Sequence, residues 1–217
     1  MDHLTASHVR MLKEEHPQLT RAILSSVKPY NEELKHVLCE EFEQFVELDH
    51  QTELPIENLY QTPETLGKDR LAAAIGANEL FPDQNLLVID AGTAITYDLV
   101  SEKNQFIGGN ISPGLEMRFK ALNHYTGKLP LVTYSDDFEQ IGRNTTDAVR
   151  AGVQNGILYE MAQNIDFFNR NYQNLHIIMT GGDSYFFDKK LNYSIFVHLN
   201  LTLIGLNRIL EHNAKKK

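Results

Sequence analysis

The stretch Leu86-Leu87-Val88-Ile89-Asp90-Ala91-Gly92-Thr93, continued by Ala94 to Val100, decides the fold. Its opening run of apolar residues predicts a strand covered on both faces. Asp90 to Thr93 reads as a turn, and Ala94 to Val100 returns as a second strand. A third strand is predicted near Gln105 to Ile111, and Ser112-Pro113-Gly114 leads into a helix. Further on, a long helix is predicted over about Thr146 to Arg170, and a strand at His176 to Thr180. Gly181-Gly182 then opens a short helix, Ile195 to Val197 is a last strand, and Leu203 to Leu210 a closing helix. Three strands in a meander followed by alternating helices and strands predict an α/β lobe with a mixed sheet.

The preceding residues show only the later part of that pattern. Ala6 to Glu15, polar with Val9 and Leu12 interspersed, reads as a surface helix. Ala22 to Val27 is a short apolar run ended by Pro29, hence a buried strand. Asn31 is placed to cap a helix whose stripe is Leu34, Val37, Leu38 and Phe42. A brief strand around Phe45 to Leu48 and a loop with Pro55, Tyr60 and Pro63 follow. Gly67-Lys68-Asp69-Arg70 then opens a strong helix through Ala77. The expected division is into a first lobe, residues 1–84, and a second, residues 85–217.

Composition narrows the function. The chain has 217 residues, 42% of them hydrophobic, which suffices for a buried core. Its 29 acidic and 20 basic residues give a net charge of −9, the wrong sign for a nucleic-acid binder. The only basic run, Lys215-Lys216-Lys217, reads as a solvated tail. Cys39 is the single cysteine, so neither an internal disulfide nor a thiolate metal site is available; set among Val37, Leu38 and Phe42, it is expected to be buried. No signal-peptide pattern opens the chain, and no apolar run approaches the roughly 20 residues that span a bilayer. A cytoplasmic protein is expected, with no membrane or nucleic-acid partner.

Several short motifs can carry chemistry. In Asp90-Ala91-Gly92-Thr93, a carboxylate at a strand end, a glycine admitting backbone to a ligand, and a hydroxyl could hold a phosphate and its cation. The same residues also make an ordinary hairpin turn. Thr96 and Asp98 extend the polar side of the returning strand. Asp69, at the start of a helix, is either a cap and dipole partner or a general base for an alcohol, with Arg70 positioning it or neutralising charge. Phosphoryl transfer demands positioning more than a strong base. Gly108-Gly109 with Gly114, and Gly181-Gly182, either turn the chain or present N–H groups to a nucleotide. There is no Walker A pattern and no Gly-x-Gly-x-x-Gly. Asn144 is accounted for as the cap of the long helix, and none of the nine histidines forms a metal-site pair.

The order of these motifs is specific where each alone is not. Tyr60-x-x-Pro63-Glu64-Thr65-Leu66-Gly67-x-Asp69-Arg70, then Asp90-x-Gly92-Thr93-Ala94-x-Thr96, then Gly108-Gly109-x-Ile111-x-Pro113-Gly114 resembles the type III pantothenate kinase family. Leu129-Pro130, Gly142-x-Asn144-Thr145 and Thr180-Gly181-Gly182 continue the resemblance, which runs from about Ala22 to Leu210. It implies an actin-like, ribonuclease H-like two-lobe kinase fold, a homodimer, and transfer of phosphate from ATP to pantothenate, giving 4′-phosphopantothenate for coenzyme A synthesis. By that resemblance Asp69 is the general base, and Tyr60, Gly67, Lys68, Asp69 and Arg70 contact pantothenate, joined by Thr145 of the partner subunit. Gly92, Thr93, Gly181 and Gly182 contact ATP. Magnesium rides on the triphosphate, and Asp90 holds a monovalent cation, potassium or ammonium.

The family's first strand carries Asp-x-Gly-Asn-Thr, and nothing like it precedes Ala22. The first lobe is therefore expected to be incomplete, short of roughly 25–40 residues of opening strands. That departure motivates a second reading, a non-catalytic pantothenate-binding or regulatory homologue. A third keeps the fold and changes the acceptor.

Overall fold

A computed structural model describes residues 4–26 and 29–214. Val27, the end of the first expected strand, the Met1 to His3 start and the Lys215 to Lys217 tail lie outside the described residues. The early elements are α1 (Ala6–Glu15), β1 (Arg21–Leu24), α2 (Glu32–Glu41) and β2 (Gln44–Glu47). Asn31 caps α2 as expected, its Oδ1 accepting the Glu33 N–H at 3.0 Å. The two strands pair in parallel, from Arg21↔Gln44 to Leu24↔Glu47, with α2 as the crossover. Val9 of α1 and Leu34, Val37 and Leu38 of α2 close a small core over them. Cys39 is exposed, contrary to expectation. It stands about 100° around the helix from Leu38, past the edge of the stripe that the core takes up.

The larger unit comprises β3 (Glu57–Asn58), α3 (Lys68–Leu80), β4 (Leu86–Ala91), β5 (Ala94–Ser101), β6 (Gln105–Pro113), α4 (Leu115–Tyr125), α5 (Thr145–Asn171), β7 (His176–Thr180), α6 (Ser184–Asp188), β8 (Ile195–Val197) and α7 (Leu201–Ala214). Its strands form one sheet in the order β3-β6-β5-β4-β7-β8. β4, β5 and β6 are the antiparallel meander. β7, β8 and the two-residue β3 add in parallel, so the sheet is mixed. β3 falls in the stretch expected to be a loop; two residues are too few for alternation to show.

Both faces of the sheet are covered, as the apolar run in β4 requires. One face, with Leu87, Ile89, Ile95, Tyr97 and Met179, packs on Leu115 and Phe119 of α4 and on Ile157, Met161 and Ile165 of α5. The other, with Leu86, Val88, Val100 and Ile178, packs on Ala73, Ala74 and Ile75 of α3 and on Leu201 and Ile209 of α7.

The period of two has a functional consequence on this second face. Along β4 it reads Leu86, Val88, then Asp90; along β5, from the far end, Val100, Asp98, then Thr96. Register sets Asp90 opposite Thr96 and Val88 opposite Asp98. Apolar packing thus gives way to carboxylates and hydroxyls at one end of the sheet, where Asp69 and Arg70 of α3 meet them.

Candidate active site

α3 begins at Lys68 with Gly67 as its N-cap. Gly67 supplies no capping side chain; the Asp69 carboxylate fills that role in part, accepting the Arg70 N–H at 2.8 Å. A Cβ on Gly67 would lie 2.6 Å from Asp69 Oδ1, so glycine leaves that carboxylate its room. Lys68 reaches back across the chain, its Nζ donating to the Ser26 carbonyl at 2.9 Å. The Arg70 guanidinium turns inward to Asp98 and lies against Tyr60, Cζ 5.6 Å from the ring centroid.

Asp90 stands at the end of β4. Burial, then the charges of Asp69 and Asp98, push its pKa up to about 6. Three carboxylates on one patch, only one of them ion-paired to Arg70, carry excess negative charge. Such a patch could hold a cation, with Asp90 among the candidate ligands. Among the described residues no cluster of three or more His, Cys, Asp and Glu forms a ready-made metal cage.

The turn after Asp90 is tight: the Gly92 N–H donates to the Ala94 carbonyl at 3.1 Å, and Gly114 donates to the Thr93 carbonyl at 3.0 Å. Across from it, β7 ends at Thr180, paired with Asp90. Gly181 follows with φ +93, a conformation that favours glycine. This lets the chain fold back so that the Asp183 N–H reaches the Ala91 carbonyl at 2.9 Å.

Gly92, Thr93, Gly182 and Asp183 rim a cavity of about 510 Å³ whose wall is Leu115, Phe119, Val132 and Tyr134. The cavity combines a polar, glycine-lined mouth with an apolar wall, as small-molecule sites do. Glu116 and Asp183 also line it, and burial, then the charge of Glu116, raises the Asp183 carboxyl. Sequence assigns neither a role: Asp183 ends the Thr180-Gly181-Gly182-Asp183 stretch, which is read for its glycines, and Glu116 lies beyond the glycine motifs.

The structure therefore brings Gly67, Asp69, Arg70 and Asp90 together with Tyr60, and places Gly92, Thr93 and Gly182 on the adjoining cavity. Thr145 is elsewhere. It opens α5 on the opposite face of the sheet and lines an open groove of about 860 Å³ with Arg118, Leu122 and Gly142. The Gly108-Gly109 pair is not a phosphate loop either. It lies inside β6, where Gly108 takes φ +133 beneath Tyr60, and a Cβ there would lie 3.6 Å from the ring's Cδ2.

Comparison with known proteins identifies the chain's relatives. The family model for type III pantothenate kinase matches residues 1–166. A type III pantothenate kinase of Phocaeicola vulgatus is 46% identical over 205 residues, covering 94% of this chain and 84% of the relative. Another, from Christiangramia forsetii, is 44% identical over 202 residues, covering 93% and 83%. Among solved structures, one described as a conserved Baf family transcriptional activator from Campylobacter jejuni superposes with a TM-score of 0.60 at 26% identity, over 89% of this chain and 83% of that one. The chain is a mixed-sheet α/β protein, and it belongs to the type III pantothenate kinase family.

Proposed function

We propose that this chain transfers the γ-phosphoryl group of ATP to the primary hydroxyl of pantothenate, giving 4′-phosphopantothenate, the first step of coenzyme A synthesis. The reading rests on the family and on one observation above all: Asp69 and Asp90, from the start of α3 and the end of β4, act on one another electrostatically beside the cavity rimmed by Gly92 and Thr93. An acceptor hydroxyl at Asp69 would then face a phosphate held at Gly92 and Thr93.

Asp69 accepts the hydroxyl proton as general base. In a loose transition state little nucleophile activation is needed, so its main contribution is to hold that hydroxyl in line. Tyr60, Gly67, Lys68 and Arg70 shape the acceptor side, and the partner subunit's Thr145 completes it in a homodimer. Thr93, Gly92, Gly181 and Gly182 serve ATP. Magnesium enters on the triphosphate and neutralises its charge; potassium or ammonium is held by Asp90. The lobes are residues 1–84 and 85–217, with β3 and α3 of the first built onto the sheet of the second. No described helix is long and apolar enough to cross a membrane, and a cytoplasmic location belongs to the same reading.

The deciding experiment is ATP-dependent phosphorylation of pantothenate by this chain with magnesium, with and without potassium. Product that requires potassium supports the whole reading. A folded dimer that binds pantothenate and forms no product would mark a non-catalytic homologue. Transfer to a different small alcohol in preference to pantothenate would overturn the acceptor.

A further inference from the structure

Arg70 follows Asp69 in α3, and its guanidinium turns inward onto β5. Its side chain is 6% exposed and is committed to Asp98, which is 1% exposed. Nε donates to Asp98 Oδ1 at 3.1 Å and to Oδ2 at 3.2 Å, and a terminal nitrogen donates to Oδ1 at 2.5 Å. Burial opposes the charge on Arg70, but the hydrogen bonds and charge of Asp98 outweigh it and raise its pKa.

The surrounding sequence is arranged around this pair. Gly109 faces Asp98 in register, and a Cβ there would lie 2.6 Å from Asp98 Oδ1. Only glycine at that position leaves the carboxylate where it stands. The Thr96 hydroxyl, two residues along the same face of β5, helps to lower the Asp98 carboxyl against the effect of burial. Tyr60 closes the other side, between the Arg70 guanidinium and the ring of Phe106 at 6.1 Å.

Stability alone does not call for such a pair, since buried ion pairs replaced by apolar residues of similar volume often leave a protein as stable or more so. What a forked guanidinium on a carboxylate supplies is direction, because both planar groups are fixed in one orientation. Residue 70 is also the one whose main-chain N–H holds Asp69 Oδ1. Anchoring its side chain therefore anchors the turn from which Asp69 projects.

We propose that Asp98 is a positioning residue for phosphoryl transfer: by clasping Arg70 against β5 it fixes the first turn of α3, and with it the Asp69 carboxylate and the Tyr60 ring. The inference rests on the reading of Asp69 as the base. Nothing in the clasp touches the nucleotide cavity, so its loss is expected in kcat and not in the use of ATP.

The test is steady-state kinetics of the whole chain carrying Asp98→Asn, with a thermal melt to give the folded fraction. A tenfold or greater fall in kcat per folded site, with KM for ATP within twofold of wild type, is expected. Unchanged kcat, or a loss wholly explained by unfolded protein, overturns the proposal. If Asp98→Asn does not fold, the double variant Arg70→Met with Asp98→Leu removes both buried charges at once. The same tenfold fall in that folded double variant, with KM for pantothenate within threefold of wild type, supports the clasp; wild-type kcat, or a rise in that KM that marks a lost substrate contact, refutes it. A wild-type chain that forms no phosphopantothenate takes down the proposed function itself, whereas an active wild type beside an equally fast Asp98→Asn strikes only this inference.

Discussion

Gly76 of α3 and Gly205 of α7 face each other so closely that neither has room for a side chain. A Cβ on Gly205 would lie 2.9 Å from the Gly76 nitrogen and collide with the Ala72 carbonyl, and one on Gly76 would lie 3.1 Å from the Gly205 nitrogen. Ala72, Ala73, Ala74 and Ala77 keep the rest of α3 equally slim and buried. The two helices thus pack backbone to backbone, which sets the height of α3 over the sheet and so the position of Asp69 at its start.

Substitution of Gly205 by Ala sets two effects against each other. Ala gains about 1 kcal/mol over Gly in a helix interior. Overpacking costs about 1–3 kcal/mol, and the upper end applies here because the obstructing atoms are backbone and cannot rotate aside. Gly205→Ala is expected to destabilise the chain by about 2 kcal/mol net. Urea unfolding measures it, and a variant as stable as wild type would show that the helices can move apart freely.

Asp69→Asn removes the base while keeping the shape and the hydrogen bond to the Arg70 N–H. General-base contributions run to about 10²–10⁴-fold, so kcat is expected to fall by at least about a hundredfold with an unchanged melting temperature. Phosphorylation of pantothenate at saturating substrates, alongside a thermal melt, checks both halves. A fully active variant would remove Asp69 from the role of base.

Much of the frame could be read from local pattern. The apolar run Leu86 to Ile89, the glycine-bearing turn after it and the caps at Asn31 and Asn144 are local signals, and each structural element begins near where they place it. Relationships between distant residues could not be read in the same way. Arg70 and Asp98 are 28 positions apart, and nothing in either neighbourhood announces the other. Gly108 and Gly109 show the same limit from the other side. Their absence of bulk leaves a nucleotide role open beside a structural one, and the room is used by Tyr60 and Asp98. Cys39 fails for a simpler reason: three apolar neighbours in sequence are not three neighbours around a helix.

Glu160 of α5 gathers a second set of distant partners. Arg118 donates to its Oε2 at 2.6 Å, while Ser112 and Tyr97 donate to Oε1 at 2.5 and 3.1 Å. Burial pushes the Glu160 carboxyl up, but these hydrogen bonds and the Arg118 charge more than offset it and hold its pKa below the ordinary glutamate value. A carboxylate depressed in the folded state contributes stability above its unfolded pKa, and loses it as pH falls through the folded value. Glu160→Gln is therefore expected to be less stable than wild type at pH 7, with the gap closing as pH drops below about 4.3. Denaturation midpoints from pH 7 to pH 3 test this. A gap that stays constant across that range would mean the cluster holds by shape and not by charge.

Gly181 bears on the nucleotide side of the site. At φ +93 a residue with a side chain is strained, by about 1–3 kcal/mol. Space is short as well, because a Cβ would lie 2.5 Å from Asp90 Oδ1 and would meet the Ala91 carbonyl that accepts the Asp183 N–H. Gly181→Ala must therefore either displace the Asp90 carboxylate or break the bond that folds the Gly181–Asp183 turn onto β4. Both consequences fall where the phosphates are expected, and neither reaches Tyr60 or Arg70. The expected result is a rise of tenfold or more in KM for ATP, with KM for pantothenate changed by less than threefold. Measuring the two saturation curves on one preparation separates the outcomes. Equal losses for both substrates would mean that the turn supports the whole lobe, and an unchanged KM for ATP would mean that the nucleotide does not lie against it.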